Sequence, residues 1–521
     1  MAQSDARSKS RPALDALPAA TRALTAIALA LGTFMQVLDT TIANVSIPII
    51  AGDLAVSANQ GTWVITSFAV SNGISVPLTG WLMQRFGVVR TFLLSVALFT
   101  VASFLCGIAW SLPTLIMFRA VQGAVSGPMI PGSQALLLAI FPPARRGVAL
   151  AIWSMTTLIA PIVGPVLGGY LSDNYSWPWI FFINVPIGIV TCVICWRALG
   201  QRDTPTRILP IDYWGIALLV IWVGALQILL DKGKDLDWFD SPVIIALACV
   251  AAVGFAAFLI WELTERFPIV DLTLFRNRNF ALGASAMALG YAVFFANIVL
   301  LPLLLQTQLS YTATWAGIVS APAGLVAFIV SPLVGRWLNR FDARWFVSFA
   351  FLAFAASYYM RSVLNADAAL RDFVAPLVVQ GFAMSTFFVA VLAIQLYGLS
   401  PARFPAASGL SNFLRIIAGS FAASVVTTLW DRRAALHQSR LVEAATPTSP
   451  AFSGALDRLH GLGLSDAAAL RAFGGAVSRQ AYVMSALDIF WISGWLSLAV
   501  LVLVWFSHST VGASRPAVAA E

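Results

Sequence analysis

Pro77-Leu-Thr-Gly80-Trp-Leu-Met-Gln84-Arg85-Phe86 returns as Pro332-Leu-Val-Gly335-Arg-Trp-Leu-Asn339-Arg340-Phe341, 255 residues further on. Working outward, Gln122-Gly123 returns as Gln380-Gly381, and Pro143-Ala144-Arg145 returns as Pro401-Ala402-Arg403, both at an offset of 258. Each match alone is at the level of chance. Three in the same order at a nearly constant offset indicate a chain that repeats about half of itself.

The repeated material is apolar. A spanning helix needs about 20 predominantly apolar residues, and fourteen runs qualify as candidates. They lie at about 23–48, 61–83, 91–110, 113–140, 147–171, 178–199, 211–230, 242–263, 280–305, 314–337, 345–364, 373–397, 407–430 and 485–507. The offset carries the second run onto the tenth, the fourth onto the twelfth, and the 4–5 loop onto the 12–13 loop. Six helices therefore repeat as six, with two inserted between them. An offset of eight helices is even, so the halves are parallel, related about an axis along the membrane normal.

Composition agrees. Of 521 residues, 59% are hydrophobic and only 10% charged, against about 25% charged in soluble domains. Mean hydropathy is +0.85. Too few polar side chains exist to cover a soluble surface, which excludes a soluble enzyme, a disordered chain and a disulfide scaffold. The runs lack the dyad alternation of a membrane β-barrel. The four cysteines, Cys106, Cys192, Cys195 and Cys249, sit inside apolar runs. There they read as small packing residues; no metal site and no cofactor are expected.

A net charge of +8 could suggest nucleic-acid binding, but a basic patch needs clustered Lys and Arg, and here they are scattered between runs. They record orientation instead. With the N-terminus in the cytoplasm, nineteen of the 31 basic residues fall on inner segments and four in short outer loops, Arg361 among the four. The expected architecture is an all-α polytopic membrane protein of 6+2+6 helices with both termini cytoplasmic. Its parts are an N-terminal tail (1–22), a six-helix bundle (23–199), two inserted linker helices (211–263), a second six-helix bundle (280–507) and a C-terminal tail (508–521). The second bundle includes a long periplasmic segment, 431–484. Within it, 455–482 reads as two short amphipathic helices around Gly461-Leu-Gly463, either a cap or a docking surface.

Transport needs an energy source. No GxxxxGK[ST] phosphate cradle is present, which leaves an ion gradient and requires a titratable group in the membrane. Asp39 in the first run and Arg119 in the fourth are the main candidates, with Arg415 in the thirteenth. Counting depth at 1.5 Å per residue puts Asp39 and Arg119 at similar levels in the outer half, where they can pair. Burial disfavours the charged carboxylate and a guanidinium favours it, so Asp39 could exchange a proton as access alternates. The simpler reading is a static pair that fixes packing. Gln122 is a further candidate for the proton coupling, and Thr40 and Asn44 are candidate polar residues of the substrate cavity. Phe68, Trp153, Tyr291 and Phe295, with Arg415, are candidate cavity residues. In the fifth run Ala160-Pro161-Ile-Val-Gly164-Pro165-Val-Leu-Gly168-Gly169 carries a GxxxG surface for close helix approach and suggests a bent gating helix.

These segments together resemble the major facilitator superfamily. More narrowly they resemble its fourteen-helix drug:proton antiporters of the EmrB/QacA type, and the long 13–14 segment is most similar to the EmrB branch. Leu38-Asp-Thr-Thr-Ile-Ala-Asn44-Val-Ser-Ile-Pro48 matches the helix 1 signature, Arg119 to Gly123 the helix 4 motif implicated in proton coupling, and Ala160 to Gly169 the antiporter motif. Gly61 to Phe68, Trp179 to Pro186 and Leu274 to Arg278 match further. The 2–3 loop departs from the family's G-x-L-x-D-R-x-G-R-[RK]. Gly80, Arg85 and Gly87 are kept, but Gln84 replaces the acid, and Val88 and Val89 replace the basic pair. The charges of a charge-based latch are thus missing, and a hydrogen bond between Gln84 and Arg85 is what the pair can still offer.

The resemblance implies a multi-pass transporter of a bacterial inner membrane rather than an enzyme. It would use protons to export hydrophobic or amphiphilic compounds by alternating access. Its implied partners are the lipid bilayer, a periplasmic adaptor (membrane fusion protein) and a TolC-like outer-membrane channel, with no nucleic acid. The alternatives are a dedicated exporter of an endogenous metabolite, such as a fatty acid or siderophore, and a membrane assembly platform or sensor.

Overall fold

The computed structural model describes residues 17–142, 145–207, 209–338, 340–443, 445–446 and 448–510. The repeat residues Pro143, Ala144 and Asn339 lie outside these, as do 1–16 and 511–521 of the tails. Among the described residues every regular element is helical. This follows from composition: inside a bilayer only helices and closed barrels satisfy every backbone polar group.

The first half contains α1 (Ala19–Asp53), α2 (Ala58–Gly61), α3 (Trp63–Ser75), α4 (Thr79–Phe86), α5 (Val88–Gly107), α6 (Leu112–Ser126), α7 (Met129–Ile140), α8 (Arg146–Asn174), α9 (Trp179–Phe182) and α10 (Asn184–Leu199). Two helices follow, α11 (Tyr213–Lys232) and α12 (Pro242–Thr264). The second half contains α13 (Arg278–Leu303), α14 (Ala313–Trp337), α15 (Ala343–Ser362), α16 (Val374–Leu396), α17 (Phe404–Glu443), α18 (Pro450–Gly461) and α19 (Asp466–Trp505). Side-chain caps start several of them: Ser111 on α6, Asp212 on α11, Asn277 on α13, Thr312 on α14 and Asp342 on α15. Each satisfies an N–H that the helix leaves orphaned.

Eleven helices are long and apolar enough to cross a membrane, or up to 12 when the bent α8 is counted as one span. The expected runs 61–83 and 345–364 are helical but fall short of that test. Pro77 interrupts the first between α3 and α4, and α15 carries Arg344 and Arg361 along with several hydroxyls. The axis of α8 turns by 44° between Arg146–Pro161 and Val166–Ser172, across the two prolines that remove helix hydrogen bonds.

The halves repeat in space. α1 packs on α8 as α13 packs on α17, α3 on α6 as α14 on α16, and α5 on α6 as α15 on α16. α11 and α12 pack on each other, and α11 bridges the halves by touching α3 and α17. The halves meet where α8 lies along α14 and where α4 crosses the start of α17. Backbones nearly touch there. A Cβ on Gly147 would lie 2.0 Å from the Gly335 carbonyl oxygen, and one on Gly80 would lie 2.9 Å from Ala406 Cα.

Segment 431–484 is not a loop appended to the bundle. α17 continues unbroken to Glu443, α18 turns the chain, and α19 runs from Asp466 straight to Trp505. Asp488 ties the two long helices together, accepting from Arg433 Nη2 at 2.6 Å and approaching His437 Nε2 at 2.6 Å.

Candidate functional site: a buried ion pair in the first half

Asp39 sits near the middle of α1 and Arg119 in the second turn of α6; neither side chain reaches solvent. Arg119 Nη1 donates to Asp39 Oδ2 at 2.6 Å and to Gln122 Oε1 at 2.7 Å, and its Nε donates to the Val64 carbonyl of α3 at 3.0 Å. Gln122 Nε2 donates to Asp39 Oδ1 at 3.1 Å. The guanidinium lies over the Phe68 ring at 4.3 Å and near Phe181 at 5.5 Å. A buried carboxylate needs a counter-charge and hydrogen bonds to its lone pairs, and side chains of two other helices supply them.

One contributor was not among the expected site residues. Asn184, the first residue of α10, donates from Nδ2 to Asp39 Oδ1 at 2.9 Å and to Ser103 Oγ at 3.0 Å. Ser103 in turn donates to the Phe181 carbonyl at 2.9 Å. A neutral amide beside Pro186 carries no charge to mark it in an apolar run.

The structure brings Asp39, Arg119, Gln122 and Phe68 together, and leaves Thr40 and Asn44 outside this cluster. Thr40 Oγ1 donates back to Val37 O of its own helix at 2.7 Å, and Asn44 is exposed. A second group forms in the other half. Arg415 of α17 lies 4.8 Å over the Tyr291 ring, which stacks on Phe295 at 5.5 Å. Gly419 admits this pair, since a Cβ there would meet Tyr291 at 3.0 Å. Trp153 is buried within α8.

Gly164 and Gly168 face α1. A Cβ on Gly164 would lie 2.0 Å from Thr41 Oγ1, and one on Gly168 would lie 2.9 Å from the Ile42 carbonyl oxygen. These contacts flank the turn of α1 that holds Asp39. Gly169 points into open space; Pro161 and Pro165 fall in the bend of α8.

The 2–3 loop finds its acid elsewhere. Asp203, beyond the end of α10, accepts from the Val89 and Arg90 amides at 3.0 and 3.2 Å and approaches Arg90 Nε at 3.7 Å. It occupies the place a side chain at Gly87 would fill: a Cβ there would be 2.3 Å from Asp203 Oδ2, and φ is +93°. Arg85 donates to the Leu209 carbonyl rather than to Gln84.

Comparison with known proteins places this geometry in a family. The sequence pattern of the Major Facilitator Superfamily matches residues 29–423. The multidrug export protein EmrB of Escherichia coli (strain K12) is 50% identical over 490 residues, covering 94% of this chain and 95% of that protein. The fatty acid resistance protein FarB of Neisseria gonorrhoeae is 45% identical over 491 residues, covering 94% and 97%. Among solved structures, the proton:xylose symporter XylE aligns with a TM-score of 0.60 at 12% identity, covering 94% of this chain and 97% of that one, which speaks to fold alone. The chain belongs to the Major Facilitator Superfamily and, within it, to the EmrB group of drug exporters.

Proposed function

We propose that the protein is a proton-driven multidrug exporter that moves hydrophobic and amphiphilic compounds outward by rocking its two halves. The observation that carries this reading is the Asp39–Arg119 pair at 2.6 Å. It joins α1 to α6 and, through Asn184 and Val64, to α10 and α3. Protonating Asp39 removes the charge that holds Arg119, so the packing of four helices depends on the proton. Gly164 and Gly168 carry that change to the bent α8, which lies along α14 of the other half. Two halves in rigid-body motion about a central site are the alternating-access design.

In this reading all fourteen runs span an inner membrane with both termini in the cytoplasm. The α17–α18–α19 extension stands in the periplasm and receives an adaptor leading to a TolC-like channel. A second reading keeps the mechanism and narrows the substrate to a fatty acid. It is favoured by Arg415, which has no acidic partner among the described residues and lies against the aromatic Tyr291–Phe295 stack, and by the name of FarB.

The test is Asp39→Asn in inverted membrane vesicles. Wild-type vesicles should release protons on addition of substrate and accumulate it under a pH gradient; the variant should do neither. Proton-coupled accumulation that survives in the variant overturns Asp39 as the carrier.

A further inference from the structure

The second half contains a counterpart of the Asp39 site with its charges rearranged. Asn297 stands 258 residues after Asp39, Gln380 stands 258 after Gln122, and Arg361 stands 258 after Ser103. Phe490 and Ser493 follow Phe181 and Asn184 at a common offset of 309. The contacts repeat too. Asn297 Nδ2 donates to Ser493 Oγ at 3.0 Å, as Asn184 bonds Asp39, and the Arg361 guanidinium lies 5.4 Å from the Phe490 ring, as Arg119 lies near Phe181. Where the first half has a carboxylate and a guanidinium, the second has an amide and a guanidinium.

Arg361 is therefore a buried cation without a counter-charge. It was expected in an outer loop, but it lies at the end of α15 with 1% of its surface exposed. No described carboxylate pairs with it, and its guanidinium lies 5.1 Å over the Tyr358 ring. Nη2 donates to Gln380 Oε1 and to Ser357 Oγ, the latter at 3.0 Å. Among the described residues Nε has no acceptor, and neither does the Tyr358 hydroxyl one turn earlier, itself 0% exposed. A guanidinium offers only donors. Buried charges are otherwise paired, and ionisable groups within a membrane bundle pair or serve a function. Surplus donors around an unpaired positive charge select an acceptor that is negative, and the enclosure selects a small one.

We propose that Arg361 and Tyr358 anchor a site for a small monovalent inorganic anion, of the size of chloride, in the second half. The anion supplies the charge that Asp39 supplies in the first. One half then carries its negative charge on a side chain that a proton can neutralise, and the other on an ion that does not titrate. The inference does not depend on the direction or substrate of transport.

The experiment uses the full chain in lipid nanodiscs, in gluconate buffer at constant ionic strength, titrated with chloride or bromide. Thermal unfolding and equilibrium binding of radioactive chloride are the readouts. The wild type should gain several degrees in Tm with saturable halide dependence, and bromide should compete for bound chloride. Gln380→Glu places a carboxylate on Nη2, so it should fold at least as stably without halide and show neither response. Arg361→Gln, if it folds, should also lose both. Equal behaviour of the wild type in halide and gluconate overturns the proposal. So does a halide response that persists in Gln380→Glu. A response to decanoate with none to halide assigns Arg361 to a carboxylate amphiphile and likewise overturns it.

Discussion

Asp39 accepts from three side chains on two other helices, so its carboxylate is built into the packing rather than added to it. Each donor holds part of a charge that water would otherwise solvate. Hydrogen bonds to charged groups contribute about 1.5–3 kcal/mol each, so Asn184→Ala should lower stability by about 2 kcal/mol, read by thermal unfolding in nanodiscs. Substrate-driven proton release should survive, because Asp39 and Arg119 remain. The ion pair itself was legible in the sequence because charges inside apolar runs are rare and expensive, and depth counting put the two at one level. Asn184 and Ser103 were not legible, since neutral polar residues are common in spans. Arg361 was misplaced for a different reason: it lies where the apolar run ends, and only the packing of α16 and α19 around it buries it.

At the scale of elements, the two turns that join the second helix of each half to the third use a borrowed anchor. In the first half the segment after α10 returns to cap α5 through Asp203. In the second the segment after α19 returns to Asp342, which caps α15. Asp342 accepts from Ser509 Oγ at 2.6 Å, from Thr510 Oγ1 at 3.2 Å and from Arg344 Nε at 2.9 Å. Burial pushes the Asp342 carboxyl up, but the Arg344 and Ser509 side chains and the Arg344 and Thr510 amides outweigh it, holding it at about 2 against an ordinary 3.8. A folded value below the unfolded one means that this anchor stabilises fully above pH 3.8 and is lost as pH falls through about 2. The protection of the Thr510 amide, taken against its intrinsic exchange rate at each pH, should therefore stay high at pH 5 and fall towards pH 2, and Asp342→Asn should show the low protection already at neutral pH. The altered 2–3 motif was readable as a loss of charge. That Asp203 restores the carboxylate was not readable, because more than a hundred residues separate it from the turn it caps.

At the scale of the molecule, the internal repeat and the apolar runs made the all-helical fold legible, and the helix pairs that the offset joins, α3 on α6 and α14 on α16, are pairs that repeat in space. Segment 431–484 was harder. Its polar composition ends the apolar runs, so it reads as a loop, yet helix formation does not stop where hydrophobicity does, and α17 and α19 each run for 40 residues. Replacing α18 and its flanking turns with a short Gly-Ser linker should leave proton-coupled accumulation in vesicles intact and abolish co-purification of the adaptor. At 1.5 Å per residue such helices are about 60 Å long, twice the roughly 30 Å thickness of a hydrocarbon core. α17 begins against Gly80 of the opposite half and ends at the far tip, a rigid rod with its fulcrum in the bilayer. In the proposed rocking cycle, an inner end that swings away from α4 would carry the tip the other way through a comparable arc. Whatever grips the tip would then be moved mechanically once per cycle, and a partner that clamps the tip too stiffly would stall the pump without ever touching its substrate.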